Sequence, residues 1–142
     1  MRTTLHPHFC FNGLPMRKQY HFRQSADGLL AWDVHRLIDL AAPLPIEQLP
    51  VNEIAELDEP YWYDNEGDTP SGRSIAMHMQ LVNAADLAYP IILCPQGRLM
   101  DGMHRAVKAV VLGIDSIQAH RLTVLPAPDF IGVDPDDLPY DD

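Results

Sequence analysis

Asp101-Gly102-Met103-His104-Arg105 sets a carboxylate, a glycine, an imidazole and a guanidinium within five residues. The pattern before it, Ile91-Ile92-Leu93-Cys94, Pro95-Gln96-Gly97 and Arg98-Leu99-Met100, reads as strand, turn and short return strand. The pattern after it is helical: Met103, Ala106, Val107, Val110 and Val111 recur at one-face spacing,. Main-chain N–H groups at such a helix start point outward and carry partial positive charge. Gly102 puts no side chain in a ligand's path, and Arg105 offers a planar fork to phosphate oxygens. The junction therefore predicts an anion site with Gly102, Met103, His104 and Arg105 as binding residues.

Several of these side chains have more than one use. Asp101 could bind a metal, act as a base, or cap the helix by accepting from the His104 N–H. His104 is a phosphate ligand, a proton-transfer group or a structural histidine. Asp101 and His104 are the catalytic candidates. Lys108 is one turn beyond His104 and reads as a solvated helix residue. His78 fits a hydrogen-bonded histidine at the edge of a core. Glu47 and Glu53 flank a short strand and read best as exposed acids. Tyr61-Trp62-Tyr63 could stack on a base or anchor a loop. His6-Pro7-His8-Phe9-Cys10 alternates groups that zinc accepts, but no fourth ligand stands near, and no metal site is assigned,.

The elements that must position these groups follow from periodicity. Residues 1–28 predict an irregular arm with a short hairpin. Leu30 to Ala42 has Val34, Leu37, Ile38 and Ala41 at helical spacing, with Asp33 as a cap and Pro43 as the stop. Leu44 to Val51 allows a short strand that its prolines confine to an edge or an end. The acidic stretch from Asn52 to Thr69 predicts a loop with one helical turn. Pro70 and Ser71 open a helix to about Ala85, with Ser71 or Ser74 as cap and Ile75, Met79 and Val82 as its apolar stripe. Gly113 ends the helix that starts at Gly102. Ile117 to Val124 alternates as a strand, and the remainder reads as acidic loop or tail. The expected fold is α+β, a small mixed sheet flanked by helices. One compact domain is expected, divided into an arm and helix (1–45), a core (46–125) and an acidic tail (126–142).

Gly102-Met103-His104-Arg105, preceded by Asp101 and set between a strand and a helix, resembles the Gly-x-His-Arg motif of the ParB/sulfiredoxin superfamily. The order strand near Ile46, helix from Ser71, strand at Ile91, helix from Gly102, strand at Ile117 resembles it too. The resemblance implies that this loop binds the phosphates of a nucleotide, ATP, ADP or CTP, with Mg²⁺ as its companion ion. It also implies that Arg73 and Ser74, at the start of the preceding helix, approach the same phosphates. Sulfiredoxins place a cysteine where this chain has Met103, and a thioether is no nucleophilic thiolate, so sulfinic acid reduction is not expected. Neither is the sequence-specific DNA binding of partitioning ParB proteins, because no helix-turn-helix follows the motif. Two classes remain: an enzyme for phosphoryl transfer or phosphate-ester hydrolysis, and a non-catalytic nucleotide-binding or protein-interaction module.

The 142 residues suffice for one domain with its own core,. A hydrophobic fraction of 46% and a charged fraction of 21% are ordinary for a globular chain,. No apolar run approaches the ~20 residues of a membrane span. Met1 to Lys18 lacks the apolar core of a secretory signal, and two distant cysteines make no disulfide framework, so a cytoplasmic setting is expected. The net charge of −10 argues against tight binding to duplex DNA,. That charge is uneven: seven acids fall in 53–68 and six in 129–142, with no lysine or arginine in either stretch, whereas 69–125 holds five bases against three acids. A basic centre in an acidic chain suits a phosphorylated small molecule, and the acidic segments suit a basic protein partner.

Overall fold

The computed structural model describes residues 18–63 and 69–140. In chain order the elements are β1 (Tyr20–Ser25), β2 (Gly28–Asp33), α1 (Val34–Ala41), β3 (Ile46–Pro50), α2 (Gly72–Ala84), β4 (Ile91–Leu93), β5 (Leu99–Asp101), α3 (Met103–Leu112), β6 (Ser116–Arg121) and β7 (Phe130–Ile131). Three short 3₁₀ turns, Val51–Glu53, Ala55–Asp58 and Tyr61–Tyr63, fill the acidic stretch where one turn is expected.

Ile91 to Cys94 is apolar at every position because both faces of its strand are covered,. Successive strand residues point to opposite faces. Ile91 and Leu93 therefore face Met103, Ala106 and Ala109 of α3, while Ile92 and Cys94 face Trp32, Leu37 and Ala41 on the α1 side. The sheet between these layers runs β3-β6-β4-β5, with β4 parallel to β6 and the outer pairs antiparallel. A second sheet, β1-β2-β7, is antiparallel throughout. Its Tyr20, Phe22 and Ala31 make a smaller core with Leu138. The fold is thus a small mixed α+β domain with two open sheets and three α-helices among the described residues. No helix there is long and apolar enough to cross a membrane.

Five local expectations need correction. Leu30 to Trp32 are strand, not helix, because β2 pairs with both β1 and β7; α1 starts only after Asp33, which does cap it by accepting from the His35 N–H at 2.9 Å. The segment after residue 125 is no loose tail: β7 completes the second sheet, Leu138 is buried, and the Trp32 indole donates to the Pro126 carbonyl at 2.8 Å. On α2, Ile75 and Met79 are exposed and the buried positions are His78 and Val82. On α3, Val110 and Val111 are exposed, and His104 and Ala109 are buried in their place. The sheet is two sheets. His6, His8 and Cys10 lie outside the described residues.

Candidate functional site

Gly102 stands between β5 and α3 at φ +114°, a conformation glycine tolerates best,. A Cβ there would lie 2.5 Å from Ile91 Cγ2. The missing side chain is thus required by packing against β4, which explains the glycine without a ligand. Because Gly102 is itself the N-cap, Asp101 sits one residue too early to cap the helix, and no side-chain cap bond is formed. Its carboxylate instead takes the Arg105 guanidinium at 2.7 Å, four residues on. Arg105 also donates to the main-chain oxygens of Tyr89 at 3.0 Å and Pro90 at 2.7 Å. The fork expected to grip phosphate therefore clamps the loop before β4 onto the start of α3. Met103 is buried in the larger core and can offer a ligand only its main chain.

His104 is where the structure adds something that spacing does not give. Its Nε2 lies 2.9 Å from Nδ1 of His78, and both rings are buried. Trp62 stacks on His78 with centroids 3.9 Å apart and an interplanar angle of 12°, and on His104 at 4.8 Å and 22°. Tyr63 meets the edge of the His78 ring, and its hydroxyl lies 3.0 Å from Ser74 Oγ. The aromatic triplet is both a loop anchor and the roof of an imidazole pair. Burial, with smaller contributions from His78 and Arg105, pushes the His104 pKa down to about 3,. It is a neutral imidazole at pH 7.

Helices α2 and α3 are fastened by Lys108, whose ammonium donates to the carbonyls of Asn83 at 3.0 Å and Ala85 at 2.6 Å. It is not the solvated residue its spacing suggests; it satisfies carbonyls left open at the C-terminal end of α2. Ser71 caps the other end by accepting from the Ser74 N–H at 3.1 Å. Arg73, in the first turn, is exposed and forms no ion pair or hydrogen bond among the described residues. The structure thus joins Ser74, His78, His104 and Trp62 into one cluster through Tyr63, ties Asp101 to Arg105, and leaves Arg73 exposed. Glu47 pairs with Arg121 at 2.8 Å on the surface.

Sequence reasoning missed Glu56. Its side chain is buried, accepts from the Leu99 N–H at 2.8 Å and pairs with Arg98 Nε at 3.1 Å. The signal was an acid three positions after Glu53, on the inward side of a 3₁₀ turn, but only the fold distinguishes it from its exposed neighbours.

No protein-family model matches the chain, and comparisons with curated proteins and with solved structures likewise give no match.

Proposed function

We propose that this chain is a ParB/sulfiredoxin-like domain that binds a phosphorylated small molecule, a nucleotide first of all, where the start of α3 meets α2 at His78. The observation that carries this reading is the buried His78–His104 contact under Trp62. A polar pair enclosed at the start of a helix, with an exposed arginine next to Ser74 in the chain, supports a site rather than a core,. Arg73 supplies the charge for the phosphates, Ser74 and the α3 main chain supply donors, and Trp62 offers a face on which a base can stack. Mg²⁺ would arrive with the nucleotide: the Asp101 carboxylate is engaged by Arg105, and no group of three or more metal-ligating side chains occurs among the described residues.

Phosphoryl transfer or ester hydrolysis would need His104 to take or give a proton. A neutral imidazole with a pKa near 3 is a poor base while Trp62 covers it,. That observation favours the second reading, a nucleotide-binding module without turnover. Titration calorimetry with ATP, ADP and CTP, with and without Mg²⁺, tests both. Binding of at least one, weakened about tenfold by Arg73→Ala (~1.4 kcal/mol), supports the site. Absence of binding at millimolar concentration ends the nucleotide reading, and release of phosphate during prolonged incubation decides for the enzyme.

A further inference from the structure

A cavity of about 480 Å³ opens between the β1–β2 hairpin, the turn that carries Glu56 and the start of β5. Its wall includes successive residues of β1, from His21 to Gln24. Neighbouring strand residues point to opposite faces, so the cavity lies against the edge of β1 rather than against one face.

β1 is the outer strand of its sheet and pairs only with β2. The direction of its main-chain groups follows from the register. The Gln19 carbonyl accepts from the Val34 N–H at 2.9 Å, one step beyond the Tyr20–Asp33 pair. Hydrogen-bonded and open pairs alternate along an antiparallel ribbon. His21 and Arg23 therefore bond to β2, whereas Phe22 and Gln24 turn their N–H and C=O away from it. β2 keeps the same phase: the carbonyls of Leu29 and Ala31, opposite Gln24 and Phe22, turn outward on their own side to accept from Gly132 and Asp129 at 2.8 Å. The outward groups of Phe22 and Gln24 form no hydrogen bond among the described residues. Phe22 is buried and Gln24 is exposed, so the open row runs from the inside of the cavity to its mouth.

Unpaired edges attract strands from other chains, and proteins usually blunt them. β3 begins after Pro45 and ends on Pro50. β7 has only two residues. In β5, the Leu99 N–H is taken by the Glu56 carboxylate at 2.8 Å. β1 has six residues and no proline. Nor does charge select an occupant. Arg98 holds both acids of the wall, Glu59 at 2.7 and 3.0 Å and Glu56 at 3.1 Å, and the Arg23 guanidinium lies over the Trp32 ring at 5.7 Å. What the cavity leaves open is main chain, at the alternate spacing that an added strand matches.

We propose that the free edge of β1 is a docking site for an extended, uncharged peptide segment of a partner protein, which joins the sheet as a strand through the main-chain groups of Phe22 and Gln24. The proposal does not rest on the nucleotide reading, since these groups lie outside the imidazole cluster.

The test uses the full chain and the blocked peptide acetyl-Ser-Val-Thr-Val-Ser-amide. We expect binding at millimolar concentration or below. Amide exchange followed by NMR should slow at least about tenfold at Phe22 and Gln24 (~1.4 kcal/mol), with little change at His21 and Arg23, which β2 already holds. Gln24→Pro removes an outward donor without breaking the β1–β2 ladder, and should weaken binding about fivefold, the scale of one hydrogen bond. Two further peptides carry N-methyl groups, one on both valines and the other on the serines and threonine. One of them should bind at least about tenfold more weakly than the other, because only alternate residues of an added strand face β1. This pair decides if Gln24→Pro fails to fold. Absence of binding, equal loss with both methylated peptides, or unchanged exchange at Phe22 and Gln24 overturns the proposal.

Discussion

Nδ1 of His78 lies 2.9 Å from Nε2 of His104, and Trp62 stacks across both rings. One of the two nitrogens must carry the proton and the other must lack it, so the contact needs at least one neutral ring. Burial holds His104 neutral by lowering its pKa from 6.5 to about 3. His21 is lowered to about 3 as well, by burial and then by Arg23. Both groups bind fewer protons folded than unfolded across this interval, so stability rises with pH there and is lost as pH falls from about 6.5 toward 3,. Urea denaturation at a series of pH values should show that loss, and His104→Gln should reduce it while leaving the share that His21 contributes,.

Trp62→Ala removes the roof without touching either imidazole. Because burial is the largest cause of the His104 shift, the pKa should climb back toward 6.5. An NMR titration of the His104 ring protons checks this. A pKa that stays near 3 would mean that Trp62 contributes nothing to the burial.

Gly102→Ala meets two penalties, a positive φ and a Cβ placed 2.5 Å from Ile91. The expected loss is on the order of 2–4 kcal/mol. Ile91→Ala alone also destabilises by opening a cavity, but the double variant should be less damaged than the two losses added together. Chemical denaturation of all four proteins closes the cycle. Strict additivity would show that the contact does not set the requirement for glycine.

Arg105→Ala should lower stability by roughly 2–4 kcal/mol, since it strips hydrogen bonds from Tyr89, Pro90 and Asp101 together,. Asp101→Asn should cost less, because the two main-chain contacts of Arg105 survive. If both variants melt like wild type, the clamp has no structural role and the guanidinium becomes available to a ligand.

Lys108→Met keeps the length of the side chain and removes its donors. The last turn of α2 then loses the partner for Asn83 and Ala85. Hydrogen exchange should accelerate at that end of α2 while the first turn, capped by Ser71, is unchanged.

Where the signal was local, the fold was legible. Ser71, Asp33 and Gly113 mark helix ends by their own chemistry, and the unbroken apolar run at Ile91 marks a strand covered on both faces. The β5–α3 junction follows from Gly102. What spacing could not give is partnership across distance. His78 and His104 are 26 residues apart and look ordinary on their own helices. Arg105 read as a phosphate fork because the carbonyls it holds, in Tyr89 and Pro90, leave no trace in side-chain identity. The helical pattern of Leu30 to Ala42 misled because its first three residues belong to a hairpin: β2 pairs with β1 along its whole length, and β7 adds two further pairs from far along the chain.

That late arrival bears on how the protein emerges from a ribosome. Trp32 finds its carbonyl partner 94 residues downstream, and the Tyr20 hydroxyl donates to Pro139 across 119. At about 5–20 residues per second, Trp32 waits roughly 5–20 s before that partner exists. Meanwhile the β1–β2 ribbon presents an open edge and an uncovered indole, and a two-stranded ribbon alone is only marginally stable. The nascent chain thus passes through an interval in which the edge of β2 that β7 will cover is open to other strands,. The acidic, proline-rich segment from Pro126 to Pro139 closes it.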